Sequence, residues 1–340
     1  SSDKKIKIPS AVEFWHRLFS KRDAGAAKAG GSQNGNGSAN NSGSADDEIR
    51  ILYTGDLGRI GKPIIRDPAV NFPAPDYIFL ESTYGNRLHE DQQMAMKDLI
   101  RIVRRIVDRK GKLIIPSFAI ERAQELVYFL HLLQDQKKLP KIPIYVDSPM
   151  ATNATGIFQL HPECYDDETH EAFLKHHKNP FGFGQLSFTS SVDESKELNN
   201  KKGPMIIISA DGMCEAGRVL YHLANNISNP ANTILLVGYM AEDTLGRKLM
   251  DGEKEVKILG DYYKVEAMVE TIGAFSAHAD YQETVDWLER IDTSRLKKIF
   301  LVHGEKDAQE FLQKQVFQQM VSSILIHCTM MRQMNLYSIH

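Results

Sequence analysis

From Glu48 onward, short β-rich apolar runs alternate with stretches of helical period, and this alternation restricts the fold more than any other feature of the chain. Strand-helix-strand units of that kind wind around a largely parallel sheet. The runs Ile49–Thr54, Tyr77–Glu81, Lys112–Pro116, Ile142–Val146, Met205–Ser209, Thr233–Val237 and Lys298–Val302 read as strands. Between them, Glu90–Arg109 carries Met94, Leu99, Val103 and Ile106 on one side and Lys97, Arg101, Arg104, Arg105 and Arg109 on the other. The basic stripe reads first as a solvated helix face and only second as a phosphate track. Ile120–Leu133, Glu215–Asn225 and Tyr281–Ile291 are further predicted helices.

Composition narrows the function classes. The 340 residues, 42% apolar and 25% charged, suit a chain of about two domains with a sizeable core. No apolar run approaches the ~20 residues that span a bilayer, so no membrane partner is expected. Cys164, Cys214 and Cys328 are scattered without a C-x-x-C pair, which indicates neither a disulfide framework nor a cysteine zinc site and fits a cytoplasmic setting. A net charge of −3 gives no whole-molecule attraction to nucleic acid, leaving only local grooves. At the start of the chain, Ser10–Arg22 reads as a short amphipathic helix. The Gly-, Ala-, Ser- and Asn-rich stretch Asp23–Asp47 reads as a flexible linker or insertion.

In an open α/β sheet, ligands sit outside the carboxyl ends of the strands. Six predicted strands end there in small or ionisable residues: Gly55-Asp56, Glu81-Ser82-Thr83, Pro116-Ser117-Phe118, Asp147-Ser148, Ser209-Ala210-Asp211-Gly212 and His303-Gly304-Glu305. One such end is an ordinary turn; six together point to a shared cleft. Of the histidines, His278 lies among small residues just before a helix that Asp280 would cap, and His303 ends a strand. Each is equally readable as a packed, carbonyl-bonded side chain. Asp56, Glu81, His278 and His303 together supply oxygen and nitrogen donors suited to a cation such as zinc, or to proton transfer.

The ordered series Thr54-Gly55-Asp56, Glu81-Ser82-Thr83-Tyr84-Gly85-Asn86, Pro116-Ser117-Phe118 with Arg122-Ala123-Gln124-Glu125-Leu126, Phe275-Ser276-Ala277-His278-Ala279-Asp280 and Val302-His303-Gly304-Glu305 resembles the β-CASP branch of the metallo-β-lactamase fold. That branch includes the endonuclease of eukaryotic mRNA 3′-end processing. The resemblance implies an α/β fold: a partial metallo-β-lactamase αββα sandwich with an inserted β-CASP domain, a parallel sheet flanked by helices. Its expected parts are a flexible segment over 1–48, the sandwich over 49–86 and 257–318, the insert over 87–256, and an unassigned tail over 319–340. It implies that Asp56 bridges two zinc ions, that His303 binds one of them, and that Glu81 and His278 form an acid-histidine pair in which His278 protonates the leaving oxygen. Single-stranded RNA is the implied substrate, contacted by Ser117, Ser209, Gly212, Arg122 and Arg218, the arginines being the weaker choices. A homodimer is left open.

One departure from the family pattern stands out. The H-x-H-x-D-H motif and the later lone histidine, which supply most zinc ligands in this fold, do not occur ahead of Asp56, where His16 is the single histidine. The expectation is therefore a chain with an incomplete zinc site, corresponding to the downstream part of a longer protein and inactive alone. The apolar face of Ile49–Thr54 is then expected to stand open. The alternatives are a catalytically inactive RNA-binding or assembly subunit, and a DNA-directed hydrolase of the same fold. Val321–Cys328 reads as a terminal strand or helix, or as an altered end.

Overall fold

A computed structural model describes residues 48–173, 179–320 and 327–330. The expected helix Ser10–Arg22, the Asp23–Asp47 stretch, His176, His177 and most of the Val321–Cys328 run lie outside them. In chain order the elements are β1 (Ile51–Tyr53), β2 (Tyr77–Glu81), α1 (Gln92–Asp108), β3 (Lys112–Pro116), α2 (Arg122–Asp135), β4 (Ile144–Val146), α3 (Pro149–Leu160), α4 (Asp167–Ala172), β5 (Leu186–Phe188), α5 (Val192–Asn200) and β6 (Met205–Ser209). There follow α6 (Arg218–Asn226), β7 (Thr233–Leu236), α7 (Leu245–Met250), β8 (Glu255–Ile258), β9 (Asp261–Lys264), β10 (Met268–Thr271), α8 (Tyr281–Arg290), β11 (Lys298–Val302), α9 (Lys306–Met320) and β12 (His327–Met330).

The larger sheet has six strands in the order β10-β7-β3-β6-β4-β5, every pair parallel. Its central strands are buried on both faces, which is why they read as unbroken apolar runs. Leu113, Ile115, Ile206 and Ile208 face α1 and α2, while Ile114, Ile207, Ile234 and Leu236 face α6 and α7. Asp91 starts α1 by accepting the amides of Gln93 and Met94, and its apolar stripe of Leu99, Ile102, Val103 and Ile106 is fully buried. The sheet takes its edge strand β10 from residues 268–271, past the antiparallel β8–β9 hairpin.

The smaller sheet runs β1-β2-β11-β12, also parallel throughout. Ile78, Leu80, Ile299 and Leu301 are fully buried beneath α8 and α9, against Val285, Leu288, Leu312 and Val316. The opposite face breaks the usual apolar-in, polar-out alternation. Ile51 and Tyr53 are 47% and 51% exposed there, and the half-buried rings of Phe79 and Phe300 stack beside them with centroids 4.8 Å apart. Among the described residues, no helix is long and apolar enough to cross a membrane.

Candidate functional site

Because β1, β2 and β11 are parallel neighbours, in register at Tyr53↔Phe79 and Val302↔Glu81, their carboxyl ends open at one edge of the smaller sheet. Gly55, with φ of +60°, makes the left-handed turn that leaves β1 and presents Asp56. His303 leaves β11 in the same region at φ 53°, unusual for a side chain of its size, and its carbonyl accepts the Thr83 hydroxyl at 2.9 Å. The Asp56 carboxylate and His303 Nδ1 stand 3.4 Å apart. His278 arrives from the loop ahead of α8, fixed by an antiparallel bridge to Gly58 and by the Ala279 amide donating to the Leu57 carbonyl at 2.8 Å. The predicted cap is present: Asp280 and Glu283 form a reciprocal capping box.

Glu81 is the buried hub. Its carboxylate accepts the Leu57 amide at 2.5 Å, the Thr83 hydroxyl at 2.6 Å and His278 Nδ1 at 3.0 Å. Burial alone would discourage a proton on His278, but the hydrogen bond and charge of Glu81 outweigh it and raise the imidazole's pKa. A second histidine steadies the first. His89 Nε2 lies 2.8 Å from the His278 carbonyl, and burial, aided by the charge of Arg59, lowers the His89 pKa to about 4. A neutral His89 that donates through Nε2 follows. Sequence reading assigns no role to His89, whose partner lies 189 residues away, and places Thr83 at a strand end without its link to His303, 220 residues away.

Asp56, His278 and His303 each offer one ligand atom, all within 4.8 Å of one another. Two donors on a tetrahedral zinc stand about 3.4 Å apart, the spacing of the Asp56–His303 pair, while Glu81 engages Nδ1 of His278. The Asp56 and His303 side chains are 70% and 56% exposed, which leaves their ligand atoms open. Among the described residues, this group has donor atoms spaced to hold a cation.

The expected substrate contacts lie at the carboxyl edge of the larger sheet. Ser117 and Ser209 are buried, their hydroxyls donating to the carbonyls of Phe118 and Asp147 at 3.1 and 2.8 Å. Arg122 is buried in an ion pair with Glu125, which also accepts Lys62 at 3.0 Å. Arg218 spans Asp147 at 2.6 Å and the Ser190 carbonyl at 3.0 Å. In both arginines the guanidinium is occupied as a brace. The wholly buried Asp147 also accepts Thr189, Ser195 at 2.5 Å and His222 at 2.6 Å. Burial would raise its pKa, but these donors hold it well below the usual carboxylate range.

Comparison with known proteins bears on the family of the chain. The family model of the Beta-Casp domain matches residues 123–249, and that of the Zn-dependent metallo-hydrolase RNA specificity domain matches residues 262–326. Ribonuclease TTHA0252 of Thermus thermophilus is 35% identical over 257 residues, covering 76% of this chain and 58% of that protein. The transcription termination factor FttA of Methanosarcina mazei is 29% identical over 280 residues, 79% of this chain and 43% of that protein. The cleavage and polyadenylation specificity factor 73 of Drosophila melanogaster is 30% identical over 261 residues, 76% of this chain and 37% of that protein. The chain thus spans roughly half the length of the curated relatives it matches.

Proposed function

The chain belongs to the β-CASP branch of the metallo-β-lactamase fold, and from that premise we propose that it carries part of a zinc-dependent phosphodiesterase site for single-stranded RNA. The observation that carries the proposal is the meeting of an Asp56–His303 pair at 3.4 Å with a Glu81–His278 pair at 3.0 Å, contributed by separate segments of the chain. Asp56 and His303 would hold the metal. Zinc there supplies Lewis-acid polarisation of a phosphoryl group and a nucleophile at neutral pH. Glu81, fixed by the Leu57 amide and Thr83, holds the Nδ1 proton of His278, and the other ring nitrogen is left to protonate the departing ribose oxygen.

RNA is favoured over DNA by the match to an RNA specificity domain. An inactive assembly subunit has no chemical need for the buried Glu81–His278 pair, which supports the enzymatic reading. Two ions, which the family pattern implies for a complete enzyme, need donors beyond Asp56, His278 and His303. The test is metal analysis and RNA cleavage on the chain. We expect fewer than two zinc ions per molecule, lost in Asp56→Ala and in His303→Ala, with little cleavage. Two tightly held ions would overturn the one-ion assignment, and rapid cleavage that survives His278→Ala would remove its acid role.

A further inference from the structure

Three large apolar side chains stand exposed at the carboxyl edge of the larger sheet: Phe118 at 43%, Ile120 at 61% and Met150 at 63%. They come from two places that the fold ties together. Phe118 and Ile120 lie between β3 and α2, and Met150 lies in the first turn of α3. Gln124 joins the two through its Nε2, which lies 3.2 Å from the Ala119 carbonyl, 3.3 Å from the Ala151 carbonyl and 2.8 Å from the Thr155 hydroxyl, within reach of both segments.

Phe118 is held firmly for an exposed residue. Its carbonyl accepts the Ala123 amide at 3.2 Å and the Ser117 hydroxyl at 3.1 Å, so its backbone is pinned to the start of α2. The loop after β6 backs its ring. A Cβ placed on Gly212 would lie 3.0 and 3.1 Å from two ring carbons and 3.1 Å from the Phe118 amide nitrogen, so tight that the ring would have to give by a few tenths of an ångström. One side of the ring is supported by backbone and the other is open to solvent. The edge is also tied to the loop that carries His278: Arg122, four residues on, pairs with Glu125, which accepts Lys62, and Lys62 donates to the Ala274 carbonyl as well.

We propose that Phe118, backed by Gly212 and flanked by Ile120 and Met150, is a stacking ledge for a nucleobase of the single-stranded RNA. This deepens the function proposed above and rests on it. An aromatic face fixed in place loses little freedom when a base covers it, and stacking tolerates any base because each has a π-face. The ledge would therefore grip the strand without reading its sequence. It also gives Gly212 a definite task, that of a spacer behind the ring rather than a phosphate contact.

The experiment titrates the full chain into a short single-stranded oligoribonucleotide carrying 2-aminopurine, whose fluorescence is quenched by stacking. We expect quenching by the unaltered chain, and about tenfold weaker binding with lost quenching for Phe118→Ala. Phe118→Tyr should restore both. Gly212→Ala, which drives a methyl group into the ring, should behave like Phe118→Ala. An abasic strand of equal length should bind the unaltered chain and Phe118→Ala alike. Unchanged affinity and quenching in Phe118→Ala would overturn the ledge and turn this edge toward a protein partner, while leaving the RNA reading intact. Failure of the unaltered chain to bind any RNA would sink both.

Discussion

His278 carries the sharpest consequences at the level of single residues. Its pKa is raised because the bond and charge of Glu81 outweigh burial, so in Glu81→Gln the imidazole should lose its proton at lower pH. An NMR titration of the ring reads this directly, and an unchanged midpoint would mean that Glu81 has no hold on it. Loss of the acid in His278→Ala should slow RNA cleavage by the metal-loaded protein about 10²–10⁴-fold. His89 works in the opposite sense. Its folded value near 4 lies below the 6.5 of an unfolded histidine, so the unfolded chain takes up a proton first as pH falls. The fold should therefore lose stability between about pH 6.5 and 4, and His89→Gln should flatten that limb in thermal melts. The sequence pointed to Asp56, Glu81, His278 and His303 because each ends a strand or lies just ahead of a helix, ends that are visible locally, and the fold brings the four side chains together. His89 was invisible because its task is to hold the backbone of a residue 189 positions away.

Among the elements, the five-residue apolar strands were the most legible. Tyr77–Glu81, Lys112–Pro116, Met205–Ser209 and Lys298–Val302 appear with the bounds read from their apolar runs. The misses are short or compositionally quiet: β5 has three residues, and α3, with Thr, Asn and Gly among its twelve, lacks an apolar period and depends on the Ser148 cap and on Pro149 at its start. Asp147, at the end of β4, joins β5, α5 and α6 through four side-chain donors. Asp147→Ala leaves Arg218 and the buried His222 without their anion, and should cost about 3–5 kcal/mol in denaturant unfolding. A loss below 1 kcal/mol would show that the network relaxes freely. Gly304 is as constrained, since a Cβ there would fall 2.5 Å from the Ser82 hydroxyl oxygen. Gly304→Ala should thus displace His303 relative to Glu81 and weaken zinc binding before it unfolds the sheet.

For the molecule as a whole, a cation held by Asp56 and His303 stabilises only the folded state. Zinc at a hundred times its dissociation constant should add about 2.7 kcal/mol to the unfolding free energy, and Asp56→Ala should abolish the increment. The architecture was legible at this scale because the strand runs that lead to Asp56, Glu81 and His303 are neighbours in one parallel sheet, and His278 stands just ahead of a helix. The strand β10 was not, since Met268–Thr271 carries no long apolar run and shows as a strand only by pairing with β7. The uncovered side of the smaller sheet bears on how the molecule behaves in a tube. Tyr53, Phe79 and Phe300 there act as a patch of hydrophobic-interaction resin, and ammonium sulfate should drive copies to coalesce through it. Light scattering should rise with that salt and subside in Phe300→Lys.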